Sequence, residues 1–133
     1  MKFVCLGYYD EKAWDTMSQG EQNTLVDECL AYDDVLKENN RFVGGDALQP
    51  SGTAATVRYD KGKVVVTDGP YSETKEQIGG ILILEARDLN HAIELMSKHP
   101  GVKAGPFEIR PVADMTDVVR ESEKRRGKSK RAS

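Results

Sequence analysis

Val64-Val65-Val66-Thr67-Asp68-Gly69-Pro70-Tyr71-Ser72-Glu73-Thr74-Lys75-Glu76-Gln77-Ile78-Gly79-Gly80-Ile81-Leu82-Ile83-Leu84 sets two apolar runs around one turn. The first run is β-branched and reads as a strand; Ile81 to Leu84 reads as another. Asp68-Gly69-Pro70 between them is turn chemistry, because Gly tolerates positive φ and Pro fixes φ. Glu73, Lys75 and Glu76 follow as a run of charge. Gly79-Gly80 permits a bend, or close approach of another backbone. Local turn chemistry alone accounts for the Gly, Pro and Ser. The charges and Tyr71 also suit the rim of a polar pocket.

Working back from this stretch, Asp60-Lys61-Gly62 is a hairpin signal that joins Thr53–Tyr59 to Lys63–Thr67. Arg41–Gln49 reads as a strand interrupted at Gly44-Gly45, where a bulge is expected. Ser18-Gln19-Gly20-Glu21 is a capping-box pattern and predicts a helix start. Leu25, Cys29, Tyr32 and Leu36 then form one apolar stripe, widened by Val26 and Val35. Asn39-Asn40 ends that helix, since Asn tolerates the left-handed cap. Asp10 to Met17 reads as a loop, and Lys2–Tyr9 as a first strand with apolar groups on both faces. Working forward, Asp88 caps a second helix, Leu89–Lys98, expected to pack through Leu89, Ala92, Ile93 and Met96. His99-Pro100-Gly101 stops it, and Gly105–Val112 is the last strand.

The order is β-α-β, an inserted hairpin, then β-α-β. In 133 residues this predicts an α+β ferredoxin-like βαβ-βαβ sandwich with an inserted β-hairpin. Two helices cover one face of such a sheet. The first strand and Ile81–Leu84 are apolar on both faces, so a second copy is expected over the other face, giving a homodimer.

The stretch Asp68-Gly69-Pro70-Tyr71 with Ser72-Glu73-Thr74-Lys75-Glu76-Gln77 resembles the signature of the DGPF proteins, a branch of the YCII-related family. The usual form has Phe at Tyr71 and Ala at Ser72. The likeness extends from Met1-Lys2-Phe3-Val4 through Val43-Gly44-Gly45-Asp46-Ala47-Leu48 to Glu108-Ile109-Arg110-Pro111-Val112. It implies a dimeric α/β barrel made of two sheets face to face. Some YCII relatives are proposed to use a His–Asp pair. This chain has no histidine before His91, and both His91 and His99 lie on or just after the second helix, so that match is absent by position. DGPF-type domains also resemble parts joined to sigma-factor regions. This supports an alternative reading as a regulatory or interaction module linked to transcription.

The leading expectation is a pocket for a small polar molecule near the Asp68-Gly69-Pro70-Tyr71 turn. Its ligand-binding residues would be Asp68, Tyr71, Glu73, Lys75 and Arg110, with Asp68 and Glu73 as candidate acids or bases. Arg110 suits bidentate binding of a carboxylate. Tyr8, Asp46 and Arg58 are placed to join them from strands. No phosphate loop, Ser-His-Asp set or metal motif is visible, so no cofactor and no metal are expected. Cys5 and Cys29 are the only cysteines, read as two buried thiols outside any zinc spacing. The chain divides into a body, 1–115, and a basic tail, 116–133, read as disordered or as an arm ordered by a partner. The tail holds seven Lys/Arg against three acids although the whole chain carries −3. The acidic body argues against nucleic acid as partner. No apolar run is long enough for a bilayer and no signal peptide is apparent, so a cytoplasmic protein without membrane contact is expected.

Overall fold

The computed structural model describes residues 1–128. Strand β1 is Lys2–Asp10, followed by helix α1, Glu11–Thr16, and helix α2, Gln19–Glu38. Strand β2, Phe42–Ala47, leads through a 3₁₀ turn at Ser51–Thr53 into β3, Ala55–Asp60, and β4, Lys63–Asp68. Strand β5, Glu76–Glu85, precedes α3, Leu89–Ser97, and a second 3₁₀ turn at Pro100–Lys103. Strand β6, Phe107–Pro111, and helix α4, Thr116–Arg125, complete the order.

Strands β2-β5-β1-β6 form one antiparallel sheet, and β3-β4 a separate two-stranded one. The protein is therefore a mixed α+β fold in which the expected hairpin is inserted as its own sheet. The strand order is that of the ferredoxin-like arrangement. The bulge expected at Gly44-Gly45 occurs just before it, as a register shift between Phe42 and Gly44.

Local chemistry sets the helix ends. The Ser18 hydroxyl accepts from the Glu21 amide at 3.1 Å, and the Glu21 carboxylate accepts from the Ser18 amide at 3.0 Å. Asn40 takes φ of 57° just past the end of α2. The Asp88 carboxylate accepts from the His91 amide at 2.8 Å and starts α3. The expected loop at Asp10–Met17 is instead α1: the Asp10 carboxylate accepts from the Ala13 amide and nucleates a turn that has no apolar stripe to announce it.

The core lies between the sheet and the helices: Phe3, Cys5, Leu36, Leu82, Leu84, Ala86, Ala92 and Met96. Each large side chain among them contributes roughly 1.5–3 kcal/mol by leaving water. Two packing expectations need correction. In α3 the buried residues are His91, Ala92 and Met96, while Leu89 and Ile93 remain 42% and 44% exposed, so the helix is rolled one position from the expected stripe. In α2 only Leu36 is buried; Val26 and Val35 are exposed.

The cross-strand register explains the second correction. On the helix-facing side, one row reads Phe42, Leu84, Phe3, Pro111. The next reads Gly45, Leu82, Cys5, Ile109, and the third Ala47, Gly80, Gly7, Phe107. Side-chain volume shrinks from row to row in the middle of the sheet. The C-terminal half of α2 has large side chains to pack on, and its N-terminal half passes over a floor that has almost none.

The opposite face of the sheet carries Val4, Leu6, Ile81 and Ile83 in register, with Ile81 37% exposed. The part of the expected tail that lies within the described residues is helical, as α4. Asp117 in its first turn and Lys124 and Arg125 in its last turn complement the helix dipole. Lys130 and Arg131 lie outside the described residues. No helix among the described residues is long and apolar enough to cross a membrane.

Candidate functional site

The floor of Gly7, Gly80 and Gly45 becomes a cleft of about 620 Å³ once α2 spans it. That is within the usual size range of small-molecule sites. Leu25, Cys29 and Asp33 line it from α2, Tyr8 and Tyr9 from β1, and Trp14 closes it from α1. Glycine is required where backbone and ring meet closely: a Cβ on Gly7 would lie 2.8 Å from the Phe107 ring. One on Gly79 would lie 2.5 Å from the Tyr9 ring. The rim is tied down by Glu11, whose carboxylate accepts from the Ser51 amide at 2.7 Å and from the Ser51 hydroxyl. Those two bonds hold the Glu11 carboxyl below its ordinary range.

The polar centre of the cleft is a pair that position in the sequence concealed. His99 Nε2 stands 3.0 Å from Asp33 Oδ1, across 66 residues of sequence. The Gly101 amide donates to His99 Nδ1 at 3.0 Å, which fixes the ring proton on Nε2 and makes that nitrogen the donor to Asp33. The ring is buried edge-on between Tyr32 and Phe107, with centroids 5.4 and 5.3 Å away. A His–Asp contact is therefore present in this chain although position in the sequence gives no match to the pair of the relatives. Both helices lie on one face of the sheet, so the end of α3 meets the middle of α2. With both ring nitrogens occupied, His99 orients Asp33, and Asp33 Oδ2 is the oxygen left for a ligand.

Cys29 borders Asp33 in the same cleft and is half-buried, whereas Cys5 is wholly buried, so only one of the two expected buried thiols is so. Burial pushes the Cys5 thiol up to about 11. Burial, then the carboxylates of Asp33 and Glu28, also raise Cys29. A nucleophilic thiolate needs the opposite environment. Burial, then Glu11, likewise raises the Tyr9 phenol. The cleft thus offers protonated Tyr9 and Cys29 beside the Asp33 carboxyl group.

The residues nominated from the sequence divide sharply. Tyr8 and Asp46 belong to the lining of the cleft. Asp68, Tyr71, Glu73, Lys75 and Arg110 do not, and all five are exposed. Lys75 pairs with Asp10 at 3.7 Å, beside Tyr9 of the cleft. The Arg58 guanidinium lies over the Tyr71 ring at 5.4 Å. Arg110 pairs with Glu108 at 2.6 Å on the sheet face away from the helices. The turn is ordered internally: the Gly69 amide donates to the Ala54 carbonyl, and Gln77 Nε2 donates to the carbonyls of Ser72 and Thr74. Asp33 carries no local sequence signal, and the only local signal of His99 is that of a helix stop. Gly45 and Gly80 are visible in the sequence one by one, but only strand register unites them with Gly7.

Comparison with known proteins places the chain in a family. The chain is 30% identical over 117 residues to the uncharacterised protein R00369 of Rhizobium meliloti (strain 1021), covering 85% of this chain and 93% of that one. In fold it is similar to 5-chloro-2-hydroxyhydroquinone dehydrochlorinase (TftG) from Burkholderia phenoliruptrix AC1100, solved in complex with 2,5-dihydroxybenzoquinone. That likeness has a TM-score of 0.52 at 16% identity and spans 88% of this chain and 98% of TftG. The sequence pattern of the YCII-related domain matches residues 1–116, and the chain belongs to the YCII-related family.

Proposed function

We propose that the protein binds a compact, mainly apolar small molecule bearing a hydroxyl or amide donor. The body of the ligand lies on the glycine floor beneath α2, and its donor reaches Asp33. The observation that carries this reading is the pairing of that bare floor with a carboxylate locked in place by His99. A flat, hydroxylated ring has these proportions, and the dihydroxybenzoquinone named with TftG is a molecule of that kind. The Asp68-Gly69-Pro70-Tyr71 turn serves as a neighbouring brace, through Lys75 and Asp10, and does not supply the ligand contacts.

Trp14, the only tryptophan, lines the cleft and reports on it by fluorescence. Resorcinol, a neutral ring with two donors, should change that fluorescence saturably. Asp33→Ala should weaken the response, and Gly80→Leu should abolish it by filling the floor while circular dichroism stays unchanged. A response equal in wild type and both folded variants refutes the proposal.

The protein also acts, in this reading, as a homodimer joined through Val4, Leu6, Ile81 and Ile83 into the dimeric barrel. The motive is the apolar content of that second face. The exposed hairpin residues Val57, Tyr59, Val64 and Val66 are further surface for a second copy.

A further inference from the structure

A second cavity, of about 360 Å³, opens on the other flank of α2, against α3. It shares no lining residue with the cleft. Tyr32, Val35, Leu36 and Leu95 form its apolar wall, and Asn39, Arg41, Lys98 and His91 are its polar residues. No carboxylate lines it. Among the described residues neither Arg41 nor Lys98 has a carboxylate within ion-pair distance.

His91 is the decisive group. It is 8% exposed, yet only one of its ring nitrogens is bonded. The Arg87 amide donates to Nδ1 at 3.1 Å, which leaves the ring proton on Nε2. Nε2 has no protein partner among the described residues. No enclosed side-chain nitrogen or oxygen among those residues lacks a partner, so Nε2 is open to solvent, and His91 lines the cavity. An accessible imidazole donor in a cavity that Arg41 and Lys98 also line, with no carboxylate in the lining, is matched by a negatively charged acceptor. The end of α2 does not oppose this charge with free carbonyls. Asn39 N and Nδ2 both donate to Val35 O, and Arg41 N donates to Leu36 O. The α3 carbonyl of Leu95 accepts from the Tyr32 hydroxyl and from the Lys98 amide.

We propose that this cavity is a second binding site, for an organic carboxylate with a compact apolar body. The carboxylate accepts from His91 Nε2 and lies between Arg41 and Lys98. The body rests on Tyr32, Leu36 and Leu95. The site is independent of any ligand in the cleft.

Benzoate and inorganic phosphate are the probes, read on the whole protein by two-dimensional NMR of the histidine rings. Benzoate should shift the His91 ring saturably and leave Trp14 fluorescence unchanged, which separates this site from the cleft. Phosphate, lacking the apolar body, should bind at least about tenfold more weakly. Arg41→Gln and Lys98→Gln should each weaken benzoate by about tenfold, the loss expected for one charged hydrogen bond. Lys98 is exposed, so its variant folds whatever Arg41 contributes to stability. Three results overturn the proposal: no saturable shift at His91, equal binding of benzoate and phosphate, or undiminished affinity in Lys98→Gln.

Discussion

Replacing His99 by Phe tests the claim that this histidine holds the cleft together by its two nitrogens. The phenyl ring keeps the volume and the edge-on contacts to Tyr32 and Phe107, at 5.4 and 5.3 Å in the wild type. What disappears is the Gly101 amide bond to Nδ1 and the Nε2 bond to Asp33, each 3.0 Å long. A hydrogen bond to a charged group is worth about 1.5–3 kcal/mol, and an amide left without an acceptor costs about 1–3. Asp33 is 21% exposed in its side chain, so water replaces part of the first contribution. The net loss should be about 2–4 kcal/mol. At this chain length that lowers the melting temperature by roughly 6–15 °C. Urea unfolding followed by circular dichroism gives the free energy, and a cycle with Asp33→Ala isolates the pair. A coupling energy of about 1–2 kcal/mol is expected. A coupling below about 0.5 kcal/mol would refute the reasoning, because the ring would then be held by packing alone.

Three further outcomes follow. Glu11 has a folded carboxyl value below its ordinary range, so the unfolded chain binds its proton more readily. The stability it supplies is full above the ordinary range and lost as pH falls through the folded value; urea midpoints between about pH 5 and 3 should slope less in Glu11→Gln than in wild type. Light scattering should give about twice 14.8 kDa, and Ile81→Glu should return the mass to that of one chain without loss of helix signal. A wild-type monomer would end the dimer proposal. Cleavage that removes Thr116 onward should leave the melting temperature of the body unchanged, since α4 buries no residue; a cooperative loss of stability would show that α4 packs.

Much of the fold was legible because its signals are local. The capping box at Ser18, the cap at Asp88, the left-handed Asn40 and the hairpin at Lys61-Gly62 each act within a few residues. Helices α1 and α4 were missed for a related reason. Neither has buried residues to write a stripe into the sequence. Periodicity alone sends every apolar position of α2 and α3 to the core. The stripe of α2 was real, but half of it faces a cleft, and periodicity cannot distinguish a wall from a core.

The site was less legible, and the reason is physical. A chemically dense stretch such as Asp68 to Glu76 draws attention because its residues are close in sequence, yet its charges mostly meet solvent or one partner each. The cleft is assembled from residues with little individual signal. Gly7 and Gly80 lie on different strands and face each other only in the antiparallel register of β1 and β5. Gly45 reaches the same floor after the shift that follows Phe42. Asp33 looks like one more solvated acid among Asp27, Glu28 and Asp34 until His99 arrives from the far end of α3. His99 in turn looks like a helix stop, and in the structure its Nδ1 caps the start of the Pro100–Lys103 turn that follows α3. The cap is what frees Nε2 to donate to Asp33. One histidine therefore does local and long-range work with its two nitrogens, and only the local half is written in neighbouring residues.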